Sequence, residues 1–206
     1  MNHDQNVTNV KIVVADPSAL GLLGLAMITF VASFAKFGII SGLSLVVPWA
    51  IFLGCTAQMI ACLSDLKHNN VFGATAFGGY GLFWFGMAMS WMVQIGAFGE
   101  AMKAAADPKS FGFVFLGYLI FSVIMTIGAA ETNKMLLVCF ILIDFLFLGL
   151  TLSTFGIMKH EMHLLAAWSE LLISLVGFYG LAGNVLNRHF GYKFVNLGTP
   201  LEIFKK

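Results

Sequence analysis

Six long runs of apolar residues alternate along the chain with short polar segments. The runs cover residues 18–38, 46–66, 74–97, 111–130, 134–156 and 163–186. Each run has roughly the 20 residues that an α-helix needs to cross the hydrocarbon core of a bilayer. The breaks between them carry charged and turn-forming residues, such as those at 67–70 and 107–110. The pattern predicts an all-α integral membrane protein whose protomer is a bundle of six transmembrane helices.

The same pattern divides the chain into a tail over residues 1–15, a transmembrane domain over 16–190 and a second tail over 191–206. Asp16-Pro17 is typical of a helix start, so the first helix is expected to begin there. Seven Lys and Arg residues fall on the side that holds both tails, and four fall on the other side. The positive-inside rule therefore predicts a multi-pass protein of a plasma or bacterial inner membrane, with both termini in the cytoplasm.

Composition agrees with a bilayer environment and excludes several classes of function. Hydrophobic residues make up 59% of the chain and charged residues 10%, against about 25% charged residues in soluble domains. The net charge of +1 and the absence of a basic tract give no indication of a nucleic-acid partner. The segment KHEMH is one residue too short for a zinc-binding HExxH motif, and no other catalytic motif is present. No metal, no cofactor and no enzymatic activity are predicted.

Helical spacing sorts the polar and small residues of the runs into stripes. In the second run, Gly54, Gln58, Ala61 and Asp65 share one face, and similar stripes occur in the first, fifth and sixth runs. Small residues often let membrane helices approach closely, so packing alone accounts for many of these positions.

Two carboxylates inside the runs are harder to explain by packing. Asp144 lies near the middle of the fifth run and Glu170 lies in the sixth. A carboxylate at a helix centre costs about 2.5–3.5 kcal/mol on insertion scales, and such residues often take part in proton transfer. Asp144 and Glu170 are therefore candidates for proton coupling, because desolvation favours the protonated form of a carboxylate. The alternative for Glu170 is a structural ion pair with Lys36, which is expected in the same half of the membrane.

Three segments resemble a known family. ADPSALGLLGLAMITF at 15–30 is similar to the signature that opens the acetate uptake transporter family, the succinate–acetate permeases. CTAQMIACLSDLKHNNVFGATAFGGYGLFW at 55–84 resembles the second block of that family, and GNVLNRHFG at 183–191 resembles its carboxyl-terminal motif. The resemblance spans about 16–198, and the second block is the most specific of the three matches.

The resemblance implies a homohexamer in which every protomer has its own pathway for acetate and related small carboxylates, including succinate. Such a protein is expected to work as a proton-linked symporter or as an anion channel. The family has a hydrophobic constriction formed by three helices, and the matching positions are Leu25, Tyr80 and Ile143. At a rise of 1.5 Å per residue, Leu25 and Tyr80 both lie about 10 Å from the cytoplasmic ends of their helices, and Ile143 lies only slightly deeper.

Four further residues are predicted to line the substrate path: Gly21, Gln58, Thr75 and Thr151. The chain also departs from the family pattern, with Leu25 in place of a Phe and Asn184 where Glu is frequent. A smaller side chain at position 25 is expected to widen the constriction.

Two other functions remain open at this point. One is a channel for a small neutral solute such as urea or ammonia, against which the intramembrane carboxylates argue. The other is a membrane sensor that transports nothing. Flux measurements separate these alternatives from carboxylate transport.

Overall fold

The computed structural model describes residues 15–204, so Lys11, Lys205 and Lys206 lie outside it. Within this range six helices are long and apolar enough to cross a membrane, which confirms the predicted number. They are α1 Ser18–Lys36, α2 Val47–Lys67, α3 Val71–Gln94, α4 Lys109–Ala129, α5 Lys134–Thr154 and α6 Lys159–Phe190. A short helix, Glu100–Ala104, lies between α3 and α4. Every end of α1–α6 falls within four residues of the corresponding apolar run.

Side chains fix several of these helix ends on the side of the membrane where α1 begins. The Asn70 side chain accepts a hydrogen bond from Gly73 N at 3.1 Å, and Asn133 accepts one from Leu136 N at 2.9 Å. Asp16 Oδ1 accepts from Ser18 N at 2.9 Å, in agreement with the predicted start of α1. Each contact satisfies a backbone N–H that has no partner within its own helix.

α2 is irregular in its first half. A short α-helical turn, Val47–Trp49, leads into a π-helical segment, Ala50–Ala57, and only then into regular α-helix over Gln58–Lys67. Gly54 allows a close approach to α3, since a Cβ at this position would lie 2.9 Å from the Trp84 side chain. The wide turns of a π-segment shift the phase of the residues that follow, and they bring Gln58 to the inner face of the bundle.

The six helices form a ring of neighbours in the order α4, α5, α6, α1, α2, α3. Five of the six neighbouring pairs pack along their lengths, whereas α3 and α4 approach each other mainly through aromatic side chains. Tyr118 of α4 donates a hydrogen bond from its hydroxyl to Gly79 O at 3.0 Å, and its ring packs against Phe83 of α3. The ring of helices leaves space at its centre for the cavities described below.

The segment after α6 folds back across the ends of the helices. Val195 exchanges two hydrogen bonds with the Asn187 side chain, and Leu197 O accepts from Met135 N at 3.1 Å. Leu201 N donates to Ala130 O at 2.8 Å. These contacts fasten residues 195–201 to α6, to the start of α5 and to the connection between α4 and α5.

Candidate functional site

A first cavity opens on the side of the membrane where α1 begins and α6 ends, here called the terminal side. It has a volume of about 270 Å³ and is lined by α1, α2, α3, α5 and α6 and by the connection between α4 and α5. Its mouth is polar, with Ser18, Asn70, Asn133 and Asn184. Its deep end is apolar and contains Leu25, Tyr80 and Ile143.

The structure therefore brings together the three residues predicted to form the constriction. All three are buried, and the Tyr80 ring is 5% exposed and faces the interior of the bundle. The Tyr80 hydroxyl is enclosed at this depth beside the Ser122 side chain of α4, and it makes no hydrogen bond of standard geometry within the described residues. A hydroxyl held this way can donate to a carboxylate that reaches the deep end of the cavity.

An aromatic cluster closes the centre of the bundle beyond these residues. Phe147 of α5, which is 1% exposed, stacks on Tyr80 with ring centroids 6.4 Å apart and an angle of 11°. Phe83 of α3 meets Phe147 edge to face at 5.1 Å. Phe147 is not among the site residues predicted from the sequence, although it lies one helical turn after Ile143 on the same face. We call the rings of Tyr80, Phe83 and Phe147 the central barrier.

A second cavity lies on the other side of the barrier, with a volume of about 240 Å³. Its lining includes Ala32 of α1, Trp84 of α3 and Leu150 of α5, one or two turns beyond Leu25, Tyr80 and Ile143 on the same three helices. The two cavities are therefore arranged end to end along one axis. We call this second space the opposite-side cavity.

Asp65 is a polar residue of the terminal-side cavity that belongs to the predicted stripe of α2 but not to the predicted site residues. It is 3% exposed, and its Oδ1 accepts a hydrogen bond from Asn70 Nδ2 at 2.9 Å. Its Oδ2 is buried without a hydrogen bond in the described part of the chain. Gly73 makes room for this carboxylate, because a Cβ at position 73 would overlap it. The position of Asp65 on the same helix face as Gln58 is the sequence feature that could have identified it as a site residue.

Gln58 and Gly21 occupy different positions relative to the terminal-side cavity. Gln58 lines the cavity and donates one hydrogen bond from Nε2 to Gly54 O at 2.7 Å, which leaves its second amide hydrogen for another acceptor. Gly21 packs against the ring of Phe77, which itself lines the cavity. Any side chain at position 21 would displace that ring.

The two threonines predicted for the path lie away from both cavities. Thr75 is on the exposed surface of α3. Thr151 is buried and donates its hydroxyl hydrogen to Phe147 O, one turn earlier in α5, at 2.7 Å. The structure thus does not bring Thr75 and Thr151 together with Gln58 and Tyr80.

The two carboxylates selected from the sequence differ in their surroundings. Asp144 Oδ2 accepts a hydrogen bond from the Thr126 hydroxyl of α4 at 2.7 Å, and Asp144 lines neither cavity. Glu170 is 1% exposed and lines the opposite-side cavity. Its Oε2 accepts from Lys36 Nζ at 2.8 Å, which is the ion pair considered as an alternative above.

Comparison with known proteins gives matches over nearly the whole chain. Residues 3–201 match the model of the GPR1/FUN34/yaaH family. The chain is 30% identical over 186 residues to the succinate-acetate/proton symporter SatP of Escherichia coli (strain K12), with 89% of this chain and 95% of that protein covered. It is 27% identical over 187 residues to the ammonia transport outward protein 2 of Saccharomyces cerevisiae, with 88% and 65% covered.

A solved structure of the bacterial acetate channel SatP has the same fold. It superposes with a TM-score of 0.83 at 26% sequence identity and covers 90% of this chain and 100% of that one. The similarity therefore extends over all six membrane helices.

Proposed function

Because this chain belongs to the GPR1/FUN34/yaaH family, we propose that it transports acetate and related small carboxylates, including succinate, along an axis within each protomer. The observation that carries the proposal is the pair of cavities at the two sides of one apolar barrier. Names of relatives support the substrate class, since one is a succinate-acetate/proton symporter and another an acetate channel. This is a transport function and involves no chemical conversion.

The central barrier supplies selectivity in this proposal. A solute that passes Tyr80, Phe83 and Phe147 must lose water on all sides, and a hydrophobic constriction excludes strongly hydrated ions for this reason. A small carboxylate keeps an apolar part, the methyl group of acetate or the two methylene groups of succinate, that the rings accept. Its charged end can take hydrogen bonds from the Tyr80 hydroxyl and the remaining Gln58 amide hydrogen.

The membrane potential decides which kind of transport can accumulate an anion. Each 100 mV, inside negative, opposes entry of one negative charge by about 2.3 kcal/mol. Entry of acetate together with one proton carries no net charge and escapes this penalty. A channel for the anion alone instead favours export, or import only down a steep gradient.

Purified protein in proteoliposomes tests the function. Uptake of labelled acetate, succinate, urea and methylammonium is measured with and without a pH gradient and with and without a potassium-diffusion potential, against protein-free vesicles. We expect saturable uptake of both carboxylates and only background uptake of urea and methylammonium. Saturable uptake of the neutral or ammonium probe alone would replace the proposal with the second candidate, which the name of the yeast relative suggests.

The same flux measurement separates symport from channel activity. Dependence on the pH gradient with no effect of voltage is expected for electroneutral symport. Dependence on voltage alone is expected for an anion channel.

We further propose a homohexamer in a plasma or bacterial inner membrane, with both termini in the cytoplasm. The resemblance of the sequence to its family supports the assembly, and the seven-to-four distribution of Lys and Arg supports the orientation. Native mass spectrometry of the detergent-solubilised protein is expected to give six copies. Labelling of single cysteines introduced near Arg188 and near Lys159 tests the orientation.

A further inference from the structure

The opposite-side cavity contains a cluster of charged and titratable groups that transport across the barrier does not by itself require. Lys36 and Glu170 are joined at 2.8 Å, and both line the cavity. His163, also in the lining, lies with Nε2 2.9 Å from Lys36 O. Because a carbonyl oxygen only accepts hydrogen bonds, that nitrogen carries the hydrogen. No other titratable side chain lines the cavity within the described residues.

The remaining walls are suited to the apolar end of a small acid. Trp84, Trp91 and Phe83 come from α3, and Phe115 and Leu150 come from α4 and α5. The volume of the opposite-side cavity, about 240 Å³, is smaller than the 300–1,000 Å³ of typical sites for drug-sized ligands. It suits an acid of two to four carbons with a few water molecules.

The burial of the pair determines how the cavity can accept an anion. Glu170 is almost completely buried, whereas the Lys36 side chain keeps 18% of its surface exposed. A second carboxylate at Lys36 would place two negative charges beside one positive charge in a poorly solvated space. That arrangement is unfavourable unless one of the carboxylates takes up a proton.

We propose that the Lys36–Glu170 pair is an exchange site at which a substrate carboxylate and a proton bind together. The carboxylate replaces Glu170 as the partner of Lys36 Nζ, and Glu170 takes up one proton from the water on that side of the membrane. Before binding, the site holds one positive and one negative charge. Afterwards it holds Lys36, the bound carboxylate and neutral Glu170, so its net charge stays zero.

This inference rests on the proposed carboxylate transport and specifies how a proton is linked to it. The exchange site gives Lys36, Glu170 and His163 distinct roles. Lys36 contacts the substrate, Glu170 holds the proton, and His163 faces both as the other titratable group. A structural ion pair that only ties α1 to α6 would instead leave acetate binding independent of proton uptake.

The test measures acetate binding and proton uptake together. Isothermal titration calorimetry of acetate into the detergent-solubilised protein is performed between pH 5 and 8 in two buffers that differ in ionisation enthalpy. For the wild type we expect uptake of about one proton per acetate at the upper end of the range. There the dissociation constant should increase about tenfold per pH unit, as linkage of one proton requires.

Two variants of the pair test proton uptake and acetate binding separately. Glu170→Gln is close in shape and stays neutral, so proton uptake should fall to about zero and acetate affinity should become independent of pH. The double variant Lys36→Met/Glu170→Gln removes both charges without leaving one alone, and its acetate affinity should fall at least tenfold at pH 5. Size-exclusion chromatography and thermal unfolding establish that both variants are folded.

Glu100→Gln is the matched control. It makes the same chemical change in an exposed pair with Lys103, 3.6 Å apart, on the same side of the membrane and outside the opposite-side cavity. Its binding should equal that of the wild type. Wild-type proton uptake in Glu170→Gln, or wild-type affinity in the double variant, would overturn the exchange site. Absence of acetate flux in the wild type would instead overturn the proposed function.

Discussion

At the scale of single residues, the barrier depends on the Phe147 ring. It stacks on Tyr80 and also contacts Phe83 and Tyr118. One side chain of α5 therefore bridges the helices α3 and α4, whose backbones are in little direct contact. The size of this ring should set the width through which a substrate passes.

Phe147→Leu should raise the ratio of succinate flux to acetate flux several-fold. The smaller side chain opens space beside Tyr80, and a change of one side-chain fragment in an apolar pocket alters discrimination by about 1–3 kcal/mol. The lost ring contacts should lower the free energy of unfolding by about 0.5–1.5 kcal/mol. Competition between the two labelled acids in proteoliposomes measures the ratio.

Phe113→Leu is the control for this substitution. Phe113 is 68% exposed on α4 and belongs to neither cavity. It should leave the flux ratio as it is in the wild type. An unchanged ratio in Phe147→Leu would show that the ring does not limit passage.

Asp65→Asn should raise acetate flux about fivefold at pH 8. The ionised carboxylate faces the terminal-side cavity and repels a bound anion, and roughly 1 kcal/mol of such repulsion corresponds to this factor. Initial rates of acetate uptake at pH 8 test the expectation. Asp144→Asn is measured beside it, because its carboxylate lies outside both cavities. A larger effect in Asp144→Asn than in Asp65→Asn would contradict the importance of the cavity position.

Only part of this residue-level arrangement could be predicted from the sequence. Leu25, Tyr80 and Ile143 were found through the family resemblance, and the structure places all three in the lining of one cavity. Phe147 and the outward position of Thr75 could not be derived from hydropathy. In a bilayer the lipid-facing and packed faces of a helix are both apolar, so the pattern does not fix how each helix is rotated about its axis.

At the scale of helices, the crossing of α5 and α6 requires a glycine at position 149. A Cβ at Gly149 would lie 2.6 Å from Met162 O and 2.9 Å from Ala166 N. Both are backbone atoms, so they cannot move aside as a flexible side chain can. The position therefore requires glycine for close approach rather than for an unusual backbone conformation.

Gly149→Ala should lower the free energy of unfolding by about 1–3 kcal/mol, the usual cost of an extra methyl group in a tightly packed site. Thermal unfolding in detergent measures the change as a decrease in Tm.

Gly117→Ala provides the comparison, because nothing lies within 4 Å of a Cβ at this position. It should be neutral or should stabilise α4 by about 0.5–1 kcal/mol through helix propensity. Equal Tm values for the two variants would show that the α5–α6 crossing can relax.

The helices themselves were predicted well, because each needs a long apolar run and ends at polar residues. The π-helical segment of α2 was not, since nothing in Ala50–Ala57 distinguishes it from an ordinary apolar helix. Gly54 in this segment packs against Trp84 of α3, a tertiary contact that the apolar pattern does not reveal.

At the scale of the whole molecule, α1 and α6 are joined by one ion pair at each side of the membrane. Lys36–Glu170 lies at the opposite side, and Asp16 Oδ2 accepts from Arg188 Nη2 at 2.9 Å on the terminal side. Partial burial by itself raises the pKa of Asp16. Hydrogen bonds from Ser18 and the charge of Arg188 outweigh this effect, so the pKa is lowered from its ordinary value.

The lowered pKa of Asp16 predicts the direction of a pH effect. The ionised form is favoured in the folded state, so its stabilising contribution is complete above the ordinary pKa of an aspartate. It is lost as the pH falls through the lower pKa of the folded protein.

Arg188→Gln should therefore reduce stability at pH 6 and have no effect near pH 2. The change at pH 6 should be under about 1 kcal/mol, because Arg188 is 64% exposed. Tm measured between pH 2 and pH 6 for both proteins tests this. A larger difference at pH 2 than at pH 6 would contradict the assigned ion pair.

The path of the last described residues has a practical consequence for work on this protein. Residues 197–204 are fastened beside Ala130, Glu131 and Met135, next to Thr132 and Asn133 at the entrance of the terminal-side cavity. A fluorescent reporter or affinity tag fused just after Phe204 would lie over the entrance of this cavity and obstruct it. Such a fusion should slow uptake without damaging the fold, whereas a long flexible spacer should restore it.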